Sequence, residues 1–540
     1  MPKVTGLLAC CALFLAPLAL ADDTLRWLDQ ERRDREALER DQRLRQLQQP
    51  GPTPPPAEPT VAAEARCWRL SGLRLAGNRL IDDRTLQALL SQRLRPCMGA
   101  DALRQVLVDI TQAYVQRGYI AARAYPAQTP ADGQPLDIVI EEGFVESIEL
   151  ADDSLPVSLA SAFPDLVGRP LHLPTLEQGL DQLNRLRSID LQAQVQPGEL
   201  DGGSRILLTS RSRRSPWGLR VGYGNGGDTT NGRHGLSLVA SRDNPLQLND
   251  VLQASLFGTF GNAPNYTRGL GLYYSVPYGA WSLGASLGHS EQRAFTGHGV
   301  RHDYTSDSRG LSLGRSLWRN QHTLLSASLR LNRKTRDYRL NHRSIAQQDA
   351  SLTSAGLDLN LLWLGRATWS AQLGYAHSLP WLGADTRPFE QWRLGALRSQ
   401  VWPGNRHQWR WDSSLEAQYS PTLLPASEQW LLSSPGSVRG LRDSNIAASS
   451  ALVLRNSLSL ALPLAPGLVL TPHVAVDYGR GRGTWHGRGR QQPALAGVST
   501  GASLGWRGGE VKLDYRHAMV IKDGPPSEPG FWNMELKLDF

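Results

Sequence analysis

The chain has 540 residues, a formal net charge of +8 and a mean hydropathy of −0.35. That length suits three or four ordinary domains, or fewer if one is a large all-β unit. The low hydropathy excludes a helical membrane protein, the 40% hydrophobic content excludes a disordered chain, and four cysteines are too few for a disulfide scaffold. The 52 glycines and 16 tryptophans point to a large antiparallel β protein with many tight turns and interfacial aromatics.

The chain opens with Lys3, an apolar run from Val4 to Leu20 broken only by Thr5, Gly6 and Pro17, and the small residues Ala19 and Ala21 at a cleavage position. This pattern predicts a secretory signal peptide over 1–21. Leu7-Leu8-Ala9-Cys10 resembles a lipoprotein cleavage box but sits inside the apolar run, so it reads as signal core. Cys10 and Cys11 then leave with the signal. Cys67 and Cys97 remain as an even pair in an oxidising compartment, and a disulfide between them is expected. No later stretch gives about 20 uninterrupted apolar residues. The best candidate, Leu458 to Val476, is broken by Pro463, Pro466 and Pro472.

Residues 22–49 read as a helix crowded with charges of both signs, with Glu31–Arg35 and Glu36–Arg40 spaced to pair. Its apolar set, Leu25, Leu28, Leu38, Leu44 and Leu47, is too thin for a core helix, so it must be exposed or lie in a polar channel. Six prolines between Pro50 and Pro59 make 50–66 an extended linker. A charged helix on such a tether reads as a removable part. Residues 67–142 and 143–210 then show the same order of signals, β-α-α-β-β, so two similar modules are expected in tandem.

From 211 to 540 the apolar period becomes two. Sixteen strands can be placed, centred near residues 221, 238, 255, 273, 285, 313, 329, 357, 372, 396, 413, 456, 473, 501, 514 and 536. Long connectors are expected at Glu291–Ser306, Thr335–Gln348, Ser420–Ala448, Gly479–Gln491 and Ile521–Gly530. Short ones fall at Tyr278-Gly279, Arg319-Asn320 and Gly365-Arg366. Short turns on one side, long loops on the other and an even strand count describe an outer-membrane barrel. Lipid tolerates no open sheet edge, so the sheet must close. The expected fold is therefore mainly β: a 16-stranded antiparallel transmembrane β-barrel, preceded by two periplasmic α/β modules and a charged N-terminal helix. Aromatics near strand ends and the terminal Phe540 fit that reading.

Signals for chemistry are sparse. Gly222-Tyr-Gly-Asn-Gly-Gly does not open a helix, and no Gly-x-x-x-x-Gly-Lys-Ser/Thr loop exists for ATP. No convincing Ser/His/Asp or paired-carboxylate set is visible, so neither catalytic residues nor a cofactor are expected. His298 and His302 read as solvated loop histidines rather than metal ligands. Arg480, Arg482, Arg488 and Arg490 with Trp485 form a basic run. On an external loop it suits lipopolysaccharide phosphates or water better than nucleic acid.

This organisation resembles the transporter (TpsB) component of two-partner secretion, which includes haemolysin secretion/activation proteins and contact-dependent-inhibition transporters. The modules look like POTRA domains, and the Cys67/Cys97 pair is similar to the haemolysin branch. Ser437-Val438-Arg439-Gly440-Leu441 resembles the family's Val-Arg-Gly-aromatic loop tip, with Leu441 in place of the usual Tyr or Phe. Val474-Ala-Val-Asp477-Tyr-Gly479 resembles its Asp-x-Gly strand. The resemblance implies that Arg439 folds into the barrel to meet Asp477, since a buried guanidinium needs an acidic partner. It also implies a translocase acting as a single chain amid outer-membrane lipid and lipopolysaccharide. Its modules would recognise an exoprotein in the periplasm, and the barrel would export it unfolded, without ATP. That partner would be a haemolysin, adhesin or toxin with a haemagglutinin-like N-terminal secretion domain. An outer-membrane assembly and insertion factor shares the architecture, but two modules plus a helix and linker speak against it. A passive porin needs no modules.

Overall fold

The computed structural model describes residue 44 and residues 67–540, apart from 92, 94, 297–298, 346–349, 386–387, 405–406, 445 and 485–489. The expected signal peptide, the linker and all of the expected N-terminal helix except Leu44 lie outside the described residues.

In the first module, β2 (Gly72–Ala76), α1 (Asp83–Ser91), α2 (Ala100–Gln116), β4 (Arg123–Pro126) and β5 (Pro135–Glu141) follow in order, and the sheet runs β2-β5-β4. Helix α2 buries Leu103, Val106, Ile110, Ala113 and Tyr114, which recur at helical spacing. They pack on Leu136, Ile138 and Ile140, the alternate residues of β5 that share one face. Beside this core, β1 (Cys67–Trp68) pairs with β3 (Met98–Gly99), and the sulfurs of Cys67 and Cys97 are joined across a Cα separation of 5.7 Å.

The second module repeats the order with β6 (Phe144–Leu150), α3 (Leu159–Ala162), α4 (Leu173–Asn184), β7 (Ile189–Pro197) and β8 (Gly203–Arg213). Its sheet runs β6-β8-β7, and Leu176, Leu180 and Leu183 of α4 bury against Ile206 and Leu208 of β8.

Sixteen strands then close an antiparallel barrel. They are β9 (Trp217–Gly224), β10 (His234–Asp243), β11 (Val251–Phe260), β12 (Tyr266–Tyr278), β13 (Trp281–Thr296), β14 (Val300–Arg319), β15 (Thr323–Leu340), β17 (Ala350–Leu364), β18 (Thr368–Leu379), β19 (Glu390–Pro403), β20 (Gln408–Tyr419), β23 (Ser450–Ala465), β24 (Leu468–Thr484), β26 (Ala494–Trp506), β27 (Gly509–Lys522) and β28 (Phe531–Asp539). Two-residue strands β16 (Arg343–Ser344), β21 (Trp430–Leu431), β22 (Ala447–Ala448) and β25 (Arg490–Gln491) lie in the connections. The sixteen expected centres all fall inside barrel strands, and β28 closes on β9.

Strand β28 shows why this sequence makes a wall between lipid and water. Trp532, Met534 and Phe540 are exposed on the outside, whereas Asn533, on the alternate face, is 1% exposed in the lumen. Ion pairs form on the lumen side. Arg516 reaches Asp514 at 2.7 Å and Glu535 at 2.9 Å.

Two expected long connectors prove to be strand. β13 continues to Thr296 and β14 begins at Val300, while β15 reaches Leu340, so Glu291–Ser306 and most of Thr335–Gln348 belong to tall hairpins. Above the hydrocarbon both faces of a strand are polar, which erases the alternation that marks a membrane strand. β24 likewise runs on to Thr484, shortening the Gly479–Gln491 connection. The wall is consequently uneven: β14 has 20 residues, β9 has 8 and β28 has 9.

The short Tyr278–Trp281 turn faces the modules. Gly279 donates its amide to Ser161 at 2.7 Å and accepts from Gln182 at 2.8 Å. The short turns therefore lie on the module side, and the tall hairpins on the far side.

Candidate functional site

The long connection between β20 and β23, residues 420–449, folds back into the barrel. Its Leu432, Val438, Leu441, Ile446 and Ala448 bury with Val453, Leu495 and Ala518 of the wall. The near limb is fixed by Glu428, whose carboxylate accepts from Lys334 of β15 at 2.6 Å. The Glu428 carbonyl accepts from Gln391 of β19 and Gln418 of β20, each at 3.0 Å. Internally, β21 pairs with β22, and the Trp430 indole donates to Ser437 at 2.9 Å.

The tip brings the Val438-Arg439-Gly440-Leu441 motif onto β24. Arg439 donates Nε and Nη2 to the two carboxylate oxygens of Asp477, each at 2.6 Å, and its backbone amide to the same carboxylate at 3.0 Å. Asp477 is fully buried and the Arg439 side chain is 8% exposed. Such a fork-to-fork contact fixes orientation as well as charge. Arg455 of β23, directly across the ladder from Asp477, adds a second guanidinium 3.7 Å away and ties the loop by donating to the Gly436 carbonyl at 2.7 Å.

Glycines make room for this tip. Gly440 has φ +112°, and a methyl group there would overlap the backbone of His517 and Ala518 on β27. A Cβ at Gly479 would fall 2.6 Å from a Val438 methyl, and one at Gly497 would overlap the Arg439 carbonyl. The Gly479 of the motif is thus part of a trough in β24 and β26 in which the loop lies. Leu441, at the position where the family's aromatic is usual, is 4% exposed and packs in the same apolar cluster.

Neither Arg455 nor Glu428 was marked by the sequence, since only the strand register brings them to the loop. A second unforeseen set joins module 2 to the barrel. Arg319, at the end of β14, donates to Asp181 at 2.7 Å and also bonds Glu177, both on α4. All three side chains are at most 7% exposed. Burial pushes the Glu177 carboxyl up, and it pushes Asp181 up to about 7 despite the guanidinium beside it. Arg185 donates to Ser275 at 2.6 Å, and the Ser188 amide donates to Asp243 at 2.8 Å.

Other candidates take different places. His302 is buried on β14 and bonds the Tyr338 hydroxyl at 2.8 Å instead of facing a solvated loop, because the hairpin extends past it; His298 lies outside the described residues. Arg480 and Arg482 stand on β24 and Arg490 on β25, while Trp485 and Arg488 lie outside the described residues. Among the described residues no group of His, Cys, Asp and Glu is placed to hold a metal.

A closed barrel with a loop packed in its lumen and two α/β modules at one mouth defines an outer-membrane transport protein. Comparison with known proteins narrows the class. Residues 202–505 match the haemolysin secretion/activation protein family (ShlB/FhaC/HecB), residues 68–143 a ShlB-type POTRA domain and residues 144–197 a POTRA domain. The hemolysin transporter protein ShlB of Serratia marcescens is 30% identical over 522 residues, covering 94% of this chain and 92% of that one. The hemolysin transporter protein HpmB of Proteus mirabilis is 27% identical, covering 92% and 90%. The solved structure of CdiB from Escherichia coli shares the fold with a TM-score of 0.84 at 24% identity, over 95% of this chain and 98% of that one. The chain belongs to the haemolysin secretion/activation family of two-partner secretion transporters, sited in the outer membrane with its POTRA modules in the periplasm.

Proposed function

We propose that this chain exports one cognate secreted protein, a haemolysin, adhesin or toxin with a haemagglutinin-like N-terminal domain. The observation that carries the reading is the position of module 2, docked directly on the periplasmic mouth of a barrel whose lumen is polar. The partner is caught as an added strand. The sheet orders β2-β5-β4 and β6-β8-β7 leave β2 and β4, and β6 and β7, as edges for that purpose. It then passes unfolded through the lumen, drawn by its own folding outside rather than by ATP, through a single chain held in lipid and lipopolysaccharide.

At rest, residues 22–49 plug the lumen. Leu44, helical and partly buried, packs on Leu324 and Leu362 of the inner wall, which supports this position. The Arg439–Asp477 contact holds the inserted loop in the state from which export proceeds. The Cys67–Cys97 bridge staples module 1 in the oxidising periplasm.

The test is release of a candidate secreted protein of that kind, co-expressed and assayed with and without this chain. Arg439→Ala should leave a membrane-inserted barrel and greatly lower release; normal release would remove the loop from the mechanism. Deleting 22–49 should raise single-channel conductance in planar bilayers, and unchanged conductance would refute the plug. Insertion of other barrels into the membrane by the purified chain would favour an assembly factor instead.

A further inference from the structure

The barrel has one weakly paired seam. Strands β28 and β9 are in register over only five positions, from Glu535↔Gly224 to Asp539↔Arg220. Every other pair of adjacent barrel strands is in register over eight or more. Above Gly224, Asn225 alone continues the ladder. Its amide donates to the Met534 carbonyl at 3.2 Å, its side-chain oxygen accepts the Met534 amide at 2.8 Å, and its Nδ2 donates to the Trp532 carbonyl at 3.2 Å. Beyond that point no strand pairing joins the two edges.

The inserted loop reaches this place. After Gly440 passes over β27, residues Arg442 to Ser444 reach the outer end of the seam. Glu528, in the connection preceding β28, accepts three successive backbone amides: Arg442 at 2.8 Å, Asp443 at 3.0 Å and Ser444 at 2.6 Å. The Arg442 guanidinium lies 3.8 Å from the centre of the Phe531 ring, the first residue of β28. On the opposite flank, the Asp443 carboxylate accepts the backbone amide of Thr229 at 2.7 Å and its hydroxyl at 2.8 Å. Thr229 belongs to the connection that follows β9. Three consecutive residues therefore hold both sides of the seam, one side through their amides and the other through a carboxylate. The same segment is anchored in the lumen three residues earlier, by Arg439 on Asp477.

We propose that Arg442–Asp443–Ser444 is a clasp that keeps the β28–β9 seam shut at its outer end. The loop thus couples the lumen to the wall. If the tip leaves the Asp477 site, the clasp is drawn off Glu528 and Thr229, and the seam is left with five paired positions, Asn225 at the outer end and the reciprocal backbone bonds of Leu219 and Phe540 at the inner end. Asp443 and Glu528 are positioning residues. Neither need touch a transported chain, so the inference stands apart from what the lumen carries.

The full-length protein in nanodiscs tests this. Nitroxide labels at Leu256→Cys and Leu513→Cys sit on outward faces of β11 and β27, four strand spacings apart across the seam, or roughly 19 Å. The parent should give one narrow distance distribution. Asp443→Ala, which loses two charge-assisted bonds, and Glu528→Ala, which loses three, should each add a longer component, with the open fraction rising on the order of tenfold or more. Asp443→Asn keeps an acceptor for Thr229 and should restore the narrow distribution. All variants should retain the heat-dependent gel shift of a folded barrel. If Asp443→Ala does not insert, Thr229→Val removes one of the same bonds and reads the same equilibrium. An unchanged distribution in Glu528→Ala together with Asp443→Ala or Thr229→Val overturns the clasp, and so does equal broadening by Asp443→Asn.

Discussion

Substituting Arg319 by alanine isolates what holds module 2 on the barrel. Glu177 and Asp181 share that one guanidinium, and their side chains are 4% and 2% exposed. Removing the cation leaves two buried carboxylates without it. Breaking a buried pair from one side costs about 3–5 kcal/mol, because the desolvation of the remaining charge is no longer offset. Divided by about 1.4 kcal/mol per factor of ten, this shifts the docked-to-undocked ratio by roughly two to four powers of ten. The bonds of Gln182 to Gly279, Arg185 to Ser275 and Ser188 to Asp243 remain, so docking weakens rather than vanishes. Replacing all three residues, as Glu177→Gln, Asp181→Asn and Arg319→Met, removes every charge and should recover most of the loss. The readout is the distance between nitroxides at Leu200→Cys on module 2 and Leu464→Cys at the module-side end of β23, both exposed. Arg319→Ala should add a broad second population that the triple variant lacks. The sign with pH follows from burial, which raises both carboxyl pKa values, Asp181 to about 7. The docked state then binds more protons than the undocked one, so docking in Arg319→Ala strengthens as pH falls through 7. An unchanged distribution in Arg319→Ala, or docking that weakens on acidification, would refute the reasoning.

Gly440→Ala forces a side chain onto a φ of +112° and into the His517 backbone, so it should lower release about as much as Arg439→Ala while the barrel still inserts, as measured by secretion and heat-dependent migration. Cys97→Ser opens a loop of 30 residues, and the chain-entropy estimate of about 3–4 kcal/mol should appear as faster proteolysis within module 1, with module 2 unaffected. His172 sits between the modules, its ring 5.1 Å from that of Tyr119, and burial holds its pKa below the ordinary value. The neutral form is therefore favoured in the packed state. Acidification below about 6.5 should loosen this junction, seen as faster amide exchange at Gly118 and Leu173, and His172→Asn should flatten that dependence.

The barrel was legible because one physical requirement, apolar outside and polar inside, stamps a period of two on each membrane strand. Trp532, Met534 and Phe540 against Asn533 carry it plainly. The modules were legible for the same reason at period 3.6, as in Leu103, Val106 and Ile110. Legibility stopped above the hydrocarbon, where neither face meets lipid and no apolar alternation is required, so the upper halves of β13 and β14 read as loops. The contact of Arg439 with Asp477 could be anticipated only because two short motifs resemble a family pair. Arg455, Glu428, Arg319, Glu528 and Thr229 carried no such mark. Their partners lie from 10 to 214 positions away, and single polar residues have no period from which a neighbour can be read.

The uneven wall has a consequence of its own. A membrane crossing takes roughly 9–11 tilted residues, which is about all that β9 and β28 contain, whereas β14 with 20 residues stands some 30 Å of strand above that need. The outer rim is therefore a parapet on one side and a sill on the other. On the proposed export path, a chain leaving the lumen would be sheltered along β13 to β15 and would meet a low rim at the seam. The exit has a direction, set by strand length alone, and the sill lies beside the least-paired part of the barrel.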